Sequence, residues 1–176
     1  MESAIWCAHL KDNRNRETYP DKTAEKAEYC LARCIIAIGW AEGEDGADWE
    51  TFRRNAEDHY ADFPNSLSGF RAAANALERM NPGDLVWVIA PDSHRRYLYQ
   101  VTEPGQPKAD QTLKDIDIGA YRQCRQIACC TVESQPEPLK TYPARRTLFQ
   151  IQKPDCVQAV KKLYEDCCGK EPEKEG

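Results

Sequence analysis

Asn81-Pro82-Gly83-Asp84-Leu85-Val86-Trp87-Val88-Ile89-Ala90, then Pro91-Asp92-Ser93-His94, then Arg95-Arg96-Tyr97-Leu98-Tyr99-Gln100-Val101-Thr102: the fold is decided in this stretch. Before Asn81 apolar residues recur every three or four positions, the period of a helix; after Asp84 they first run on continuously and then alternate, the habit of strands. Asn-Pro-Gly-Asp is turn chemistry that ends the helix. Leu85 to Ala90 reads as a buried strand and Arg96 to Thr102 as its hairpin partner, with Pro91 to His94 as the turn. In the second strand Tyr97, Tyr99 and Val101 share one face, and Leu98, Gln100 and Thr102 the other.

Working back from Asn81, Phe70, Ala73, Ala74, Leu77 and Met80 form the apolar stripe of a helix expected from about Ser68. Trp49, Phe52, Ala56 and Tyr60 form the stripe of an earlier helix for which Asp48 is the N-cap. The acidic, glycine-bearing run Glu42 to Ala47 is expected as a loop. Cys34 to Trp40 reads as a buried strand, Thr23 to Arg33 as a helix and Ala4 to His9 as a first strand. Forward of Thr102, a polar connection from Glu103 to about Gly119 leads to a strand, Gln126 to Val132. A proline-bearing loop then leads to another, Thr147 to Ile151. Asp155 is expected to cap a closing helix carrying Val157, Val160, Leu163, Tyr164 and Cys167. Gly169 to Gly176 is a charged tail expected to be disordered.

No internal repeat is present. The order of elements is not a βαβ repeat; it predicts an α+β protein, a curved mixed β-barrel of five or six strands with flanking helices. A length of 176 residues suits one domain, over residues 1–168.

Lys and Arg total 24 against 29 Asp and Glu, a net charge of −5, which argues against indiscriminate binding to polyanions. Local charge differs: Arg95 and Arg96, Arg122 and Arg125, and Arg145 and Arg146 recur in the second half, while acids crowd Glu42 to Asp62. Charges throughout the first twenty residues leave no apolar run for a signal peptide or a membrane span, so a cytoplasmic protein without membrane association is expected. Nine cysteines, an odd number with no secretory signal, read as reduced thiols.

Several chemistries lack their residues. There is no Cys-x-x-Cys, and Cys30 and Cys34 have no histidine nearby in sequence, so no metal is expected. Gly39, Gly43 and Gly46 fit neither the dinucleotide nor the P-loop spacing, so no nucleotide cofactor is expected. His9, His59 and His94 are scattered, and no nucleophile stands beside a base, so no catalytic residue is assigned. What does stand out is aromatic residues beside turns and strand ends, namely Trp40, Trp49, Trp87, Tyr97, Tyr99, Tyr121 and Tyr142. Each suits core packing. Several near arginines also suit a base stacked between rings, worth roughly 1–3 kcal/mol, with phosphates held by guanidinium groups.

Ile36-Ala37-Ile38-Gly39-Trp40, a helical insert, Asn81-Pro82-Gly83-Asp84-Leu85-Val86-Trp87-Val88 and Tyr97-Leu98-Tyr99-Gln100-Val101-Thr102 together resemble the EVE-like branch of the PUA superfamily. The chain is similar in particular to modules of modification-dependent (Mrr-type) restriction proteins. Tyr121 and Arg122-Gln123-Cys124-Arg125-Gln126-Ile127 resemble the tyrosine and following strand of those modules, and Thr147-Leu148-Phe149-Gln150-Ile151 their closing strand. The likeness spans Ala4 to Ile151. It departs at Gln123, where a histidine is common, at Cys129, where a tryptophan is frequent, and in the long segment before Gly39.

The resemblance implies a reader that flips a modified base, a cytosine derivative, out of DNA into an aromatic pocket, as in prokaryotic defence. It implies a pocket of Gly39, Trp40, Asp84, Trp87, Tyr97, Tyr99 and Tyr121, with Arg95, Arg96, Arg122 and Arg125 gripping phosphates. The partner is then nucleic acid, with a nuclease or NTPase effector acting in trans. An RNA-binding module, a protein-interaction or small-nucleotide-binding domain, and an enzyme using one of the cysteines are the alternatives.

Overall fold

A computed structural model describes residues 2–41, 48–91, 93–142 and 146–169. The loop expected over 42–47, Asp92 of the hairpin turn and the tail beyond Gly169 lie outside the described residues.

Seven strands form one curled mixed sheet: β1 (Ile5–His9), β2 (Ile35–Ile38), β3 (Leu85–Ile89), β4 (Arg95–Val101), β5 (Lys108–Ala109), β6 (Ala120–Thr131) and β7 (Leu148–Gln150). Their order across the sheet is β2-β6-β4-β3-β1-β7, with β5 paired to β6. Among the described strands β1 and β3 run parallel, Trp6 opposite Val86; the other pairs are antiparallel. The helices are α1 (Thr23–Arg33), α2 (Trp49–His59), α3 (Pro64–Arg79), α4 (Glu137–Lys140) and α5 (Pro154–Cys168). This is the α+β class and the curved mixed sheet with flanking helices that the pattern predicts.

Alternation along the strands builds two cores, one on each side of the sheet. From β3, Val86 and Val88 enter the first core, with Tyr99 and Val101 of β4 and the apolar stripes of α1, α2 and α3. Leu85 and Trp87 enter the second, with Leu98 and with Leu139, Cys156 and Val160 from α4 and α5. Among the described residues no helix is long and apolar enough to cross a membrane.

Four expectations are corrected. The third helix begins at Pro64, a turn earlier than its apolar stripe, because proline at the first helical position is preorganised for a helix. The connection after β4 is not structureless: Lys108–Ala109 pairs with β6, and a 3₁₀ turn, Gln111–Ile116, follows under an Asp110 cap. β6 starts six residues before the expected Gln126, since Arg122, Gln123 and Arg125 mask its apolar pattern; one part pairs with β2 and another with β4, and the register shifts at Leu98/Tyr99. The last helix is preceded by Lys153 as N-cap, so Asp155 lies within its first turn, where a negative charge suits the helix dipole.

A cleft beside Trp40

β2 delivers Gly39 and Trp40 to a place where three other parts of the chain meet: the segment after β1, the first turns of α3 and the start of β7. Together they bound a cleft of 330 Å³ lined by Lys11, Asn13, Trp40, Ser68, Arg146 and Thr147, with Gly69, Ala72, Ala73 and Leu148 as apolar wall. Trp40 has φ of 57°. A left-handed backbone is uncommon for a bulky residue and costs on the order of 1–3 kcal/mol, so the surroundings must hold it there. The Phe70 ring meets the indole edge-on at 5.8 Å, and Gly69 leaves room beside it.

Beneath the cleft lies a buried polar network. Asp117, fully buried and also left-handed, accepts from the Asn13 amide at 2.6 Å and the Ala41 amide at 3.1 Å. Lys26, fully buried on the inner stripe of α1, places Nζ 2.7 Å from the Lys11 carbonyl, 3.4 Å from Asn13 Oδ1 and 3.5 Å from Asp117 Oδ2. Burial pushes the Asp117 carboxyl up from its ordinary value, against the pull of Lys26 and the two amides. Asp12 and Arg14 form a forked pair beside it, at 2.9 and 3.2 Å. Burial raises the Asp12 pKa, but the hydrogen bonds from Arg14 and the Lys22 amide outweigh it and bring it down to about 2. Gly39 is where this network touches the sheet: a Cβ there would sit 2.0 Å from Asp117 Oδ2 and 2.6 Å from Asn13 Oδ1.

Among the described residues the charge lining the mouth is positive. Among the described residues Lys11 and Arg146 have no carboxylate partner, and no side-chain carboxylate lines the cleft. Burial, then the nearby charges of Lys26 and Arg16, lower the Lys11 pKa.

The other residues singled out from the sequence do not join Trp40. Trp87 is buried in the second core, on the far side of the sheet, so the two tryptophans do not line one cleft. Asp84 accepts from the Ala4 and Asn81 amides and from Trp6 Nε1, each at 3.0 Å; these bonds engage both carboxylate oxygens as a clamp between the turn and β1. Tyr99 is fully buried in the first core, its phenol pushed upward by burial, while Tyr97 and Tyr121 pack half-buried at that core's margin.

Arg122 is buried and donates to the carbonyls of Leu77 (3.0 Å), Glu78 (3.1 Å), Met80 (3.0 Å) and Gly105. It therefore caps the C-terminal end of α3 and is not available to a phosphate. Arg125 donates to Gln100 Oε1, and Arg96 to the Ser93 and Arg95 carbonyls. Arg95 is exposed, with Nη1 3.5 Å from Cys129 Sγ.

All nine cysteines are free thiols, and burial pushes those of Cys7, Cys30 and Cys124 up to about 12. Among the described residues no group of three or more His, Cys, Asp and Glu side chains is placed to hold a metal.

Sequence reasoning reached Gly39 and Trp40 and noted Arg146 within a pair, but missed Lys11, Asn13, Lys26, Asp117 and Thr147 as site residues. One signal was available. Thr23, Lys26, Ala27 and Cys30 share the buried stripe of α1, and a lysine inside such a stripe needs a buried partner.

No family model and no curated protein matches the chain. Among solved structures it is similar to the crystal structure of protein Atu2648 from Agrobacterium tumefaciens, at 10% identity over 92% of this chain and 93% of that one, with a TM-score of 0.36.

Proposed function

We propose that this chain is a nucleic-acid-binding reader that takes a base, flipped out of DNA, into the cleft beside Trp40. The observation that carries the reading is the cleft itself: part of an indole held by a strained backbone, with two cations, Lys11 and Arg146, that no carboxylate among the described residues pairs with. Its 330 Å³ falls at the lower end of the range of about 300–1,000 Å³ for small-ligand pockets, the scale of a single base with its sugar. Trp40 is buried to 6% exposure, so the base packs against the part of the indole that borders the cleft, without sequence readout, while the cations hold backbone phosphates. The resemblance to EVE-like modules adds the modified base, a cytosine derivative, and an effector nuclease or NTPase supplied in trans.

Among the arginines first considered, Arg95 and Arg125 are exposed, Arg125 with its guanidinium on Gln100, and these two stay open to a phosphate. Trp87, Asp84, Tyr99 and Arg122 have structural work in this reading and touch no ligand. A second reading, binding of a free nucleotide, draws on the same cleft and on the net charge of −5, which disfavours a long polyanion. Titration at low salt separates them. Duplexes with and without 5-methyl- or 5-hydroxymethylcytosine, matched RNA and mononucleotides are added while tryptophan fluorescence is followed in wild type and Trp40→Phe. Quenching by modified duplex alone, lost in the variant, supports the reader; quenching by mononucleotides alone supports the second reading.

A further inference from the structure

The hydrogen-bond directions around Asn13 determine what the cleft can recognise. Asn13 Oδ1 faces two groups that can only donate, the Gly39 amide at 3.1 Å and the Lys26 ammonium at 3.4 Å, so the amide cannot be flipped. Its Nδ2 therefore points to Thr147 Oγ1, 2.7 Å away, and donates to it. With its oxygen engaged as an acceptor, the Thr147 hydroxyl keeps its proton for another partner, and among the described residues none accepts it. Thr147 lines the cleft beside Lys11 and Arg146, both donors only.

We infer that the cleft is a receptor dominated by donors, the Ser68 hydroxyl at its edge turning either way, whose floor, Thr147, takes an acceptor without a proton, a carbonyl or ionised oxygen on a flat ligand. Asn13 and Lys26 are positioning residues that fix this polarity. The inference rests on the reading of the Trp40 cleft as the binding site and adds the chemistry of what enters it. A ligand presenting an N–H or an amidinium at the floor meets donors facing donors and is rejected; a donor–donor clash leaves buried groups unpaired on both sides.

The test uses two flat probes of similar shape and opposite polarity, benzoate and benzamidine, and follows the indole N–H signal of Trp40 in ¹⁵N-labelled protein, assigned with Trp40→Phe. Benzoate is expected to shift this signal and benzamidine to leave it in place. Thr147→Val, which keeps the shape of the side chain and removes the hydroxyl, weakens benzoate binding by roughly tenfold or more, as expected for a hydrogen bond to a charged group, and Thr147→Ser restores it. Asn13→Asp presents an acceptor to Thr147, draws its proton away from the cleft and abolishes the preference for benzoate.

Benzamidine binding as well as benzoate, unchanged benzoate affinity in Thr147→Val, or no response to either probe would each overturn the inference. Benzoate selection by a protein that no duplex perturbs would retire the DNA reading and leave the donor polarity standing. Duplex binding displaced by benzamidine would do the reverse.

Discussion

Replacing Gly39 by alanine tests the buried network and the cleft together. The added methyl would overlap Asp117 Oδ2 and Asn13 Oδ1, at 2.0 and 2.6 Å, where non-bonded contacts need more than 3 Å. Neither neighbour can retreat without loss. Asp117 holds the amides of Asn13 and Ala41, and Asn13 holds Thr147. Displacing Asp117 also strands Lys26, and breaking a buried charge pair costs about 3–5 kcal/mol. For a domain of this size each kcal/mol lowers Tm by about 2–4 °C, so Gly39→Ala should melt roughly 6–20 °C below wild type.

Gly105→Ala is the control. Gly105 has φ of 92° with nothing near its added Cβ, so only a backbone cost of about 1–2 kcal/mol, or roughly 2–8 °C, applies. Calorimetry of the three proteins at neutral pH decides the matter. A Gly39→Ala melt no lower than that of Gly105→Ala would refute the claim that Gly39 exists to admit Asp117 and Asn13.

Further outcomes follow from the same contacts. Asp84→Ala strands three donors, at about 1–3 kcal/mol for an unpaired buried group, and should lower Tm by several degrees while the Trp40 signal responds to ligand as in wild type; loss of binding without loss of stability would return Asp84 to the site. Arg122→Lys keeps the charge but cannot cap four carbonyls, so urea unfolding should report a loss of about 1–3 kcal/mol with unchanged salt dependence of DNA binding; a shallower salt slope would make Arg122 a phosphate contact. Asp12 is depressed on folding to about 2, so its contribution, on the order of 2 kcal/mol, is present above its unfolded pKa and lost as pH falls from near 4 through 2. Urea unfolding across that range should show this acid loss reduced in Asp12→Asn, and identical profiles would contradict it. Lys11 titrates below the ordinary lysine value, so binding of an anion at the cleft should weaken as pH rises through its lowered pKa, and Lys11→Met should remove that dependence.

The sheet was readable because its strands are short apolar runs set off by turn residues, as in Asn81 to Thr102. What hid from the sequence did so for physical reasons. β6 carries Arg122 and Gln123 at positions where a helix end and the α1–β2 junction take their hydrogen bonds, so its polar residues imitate a loop. The site was half legible. Trp40 announces itself by type and Gly39 comes with the resemblance, but Lys11, Asn13, Asp117 and Thr147 lie up to 136 positions apart and meet only when the sheet curls. Trp87 and Asp84 show the opposite error: residue types that suit a base pocket also suit a core and a turn, and one position along a strand decides which face a side chain joins.

The central claim, that ligand enters beside Trp40 and not beside Trp87, is tested most directly by the four indole N–H signals of the ¹⁵N-labelled protein during titration with a short duplex containing 5-methylcytosine at low salt. The account predicts that the Trp40 signal moves in a saturable way while those of Trp6, Trp49 and Trp87 stay in place. Movement of the Trp87 signal with Trp40 undisturbed would contradict it.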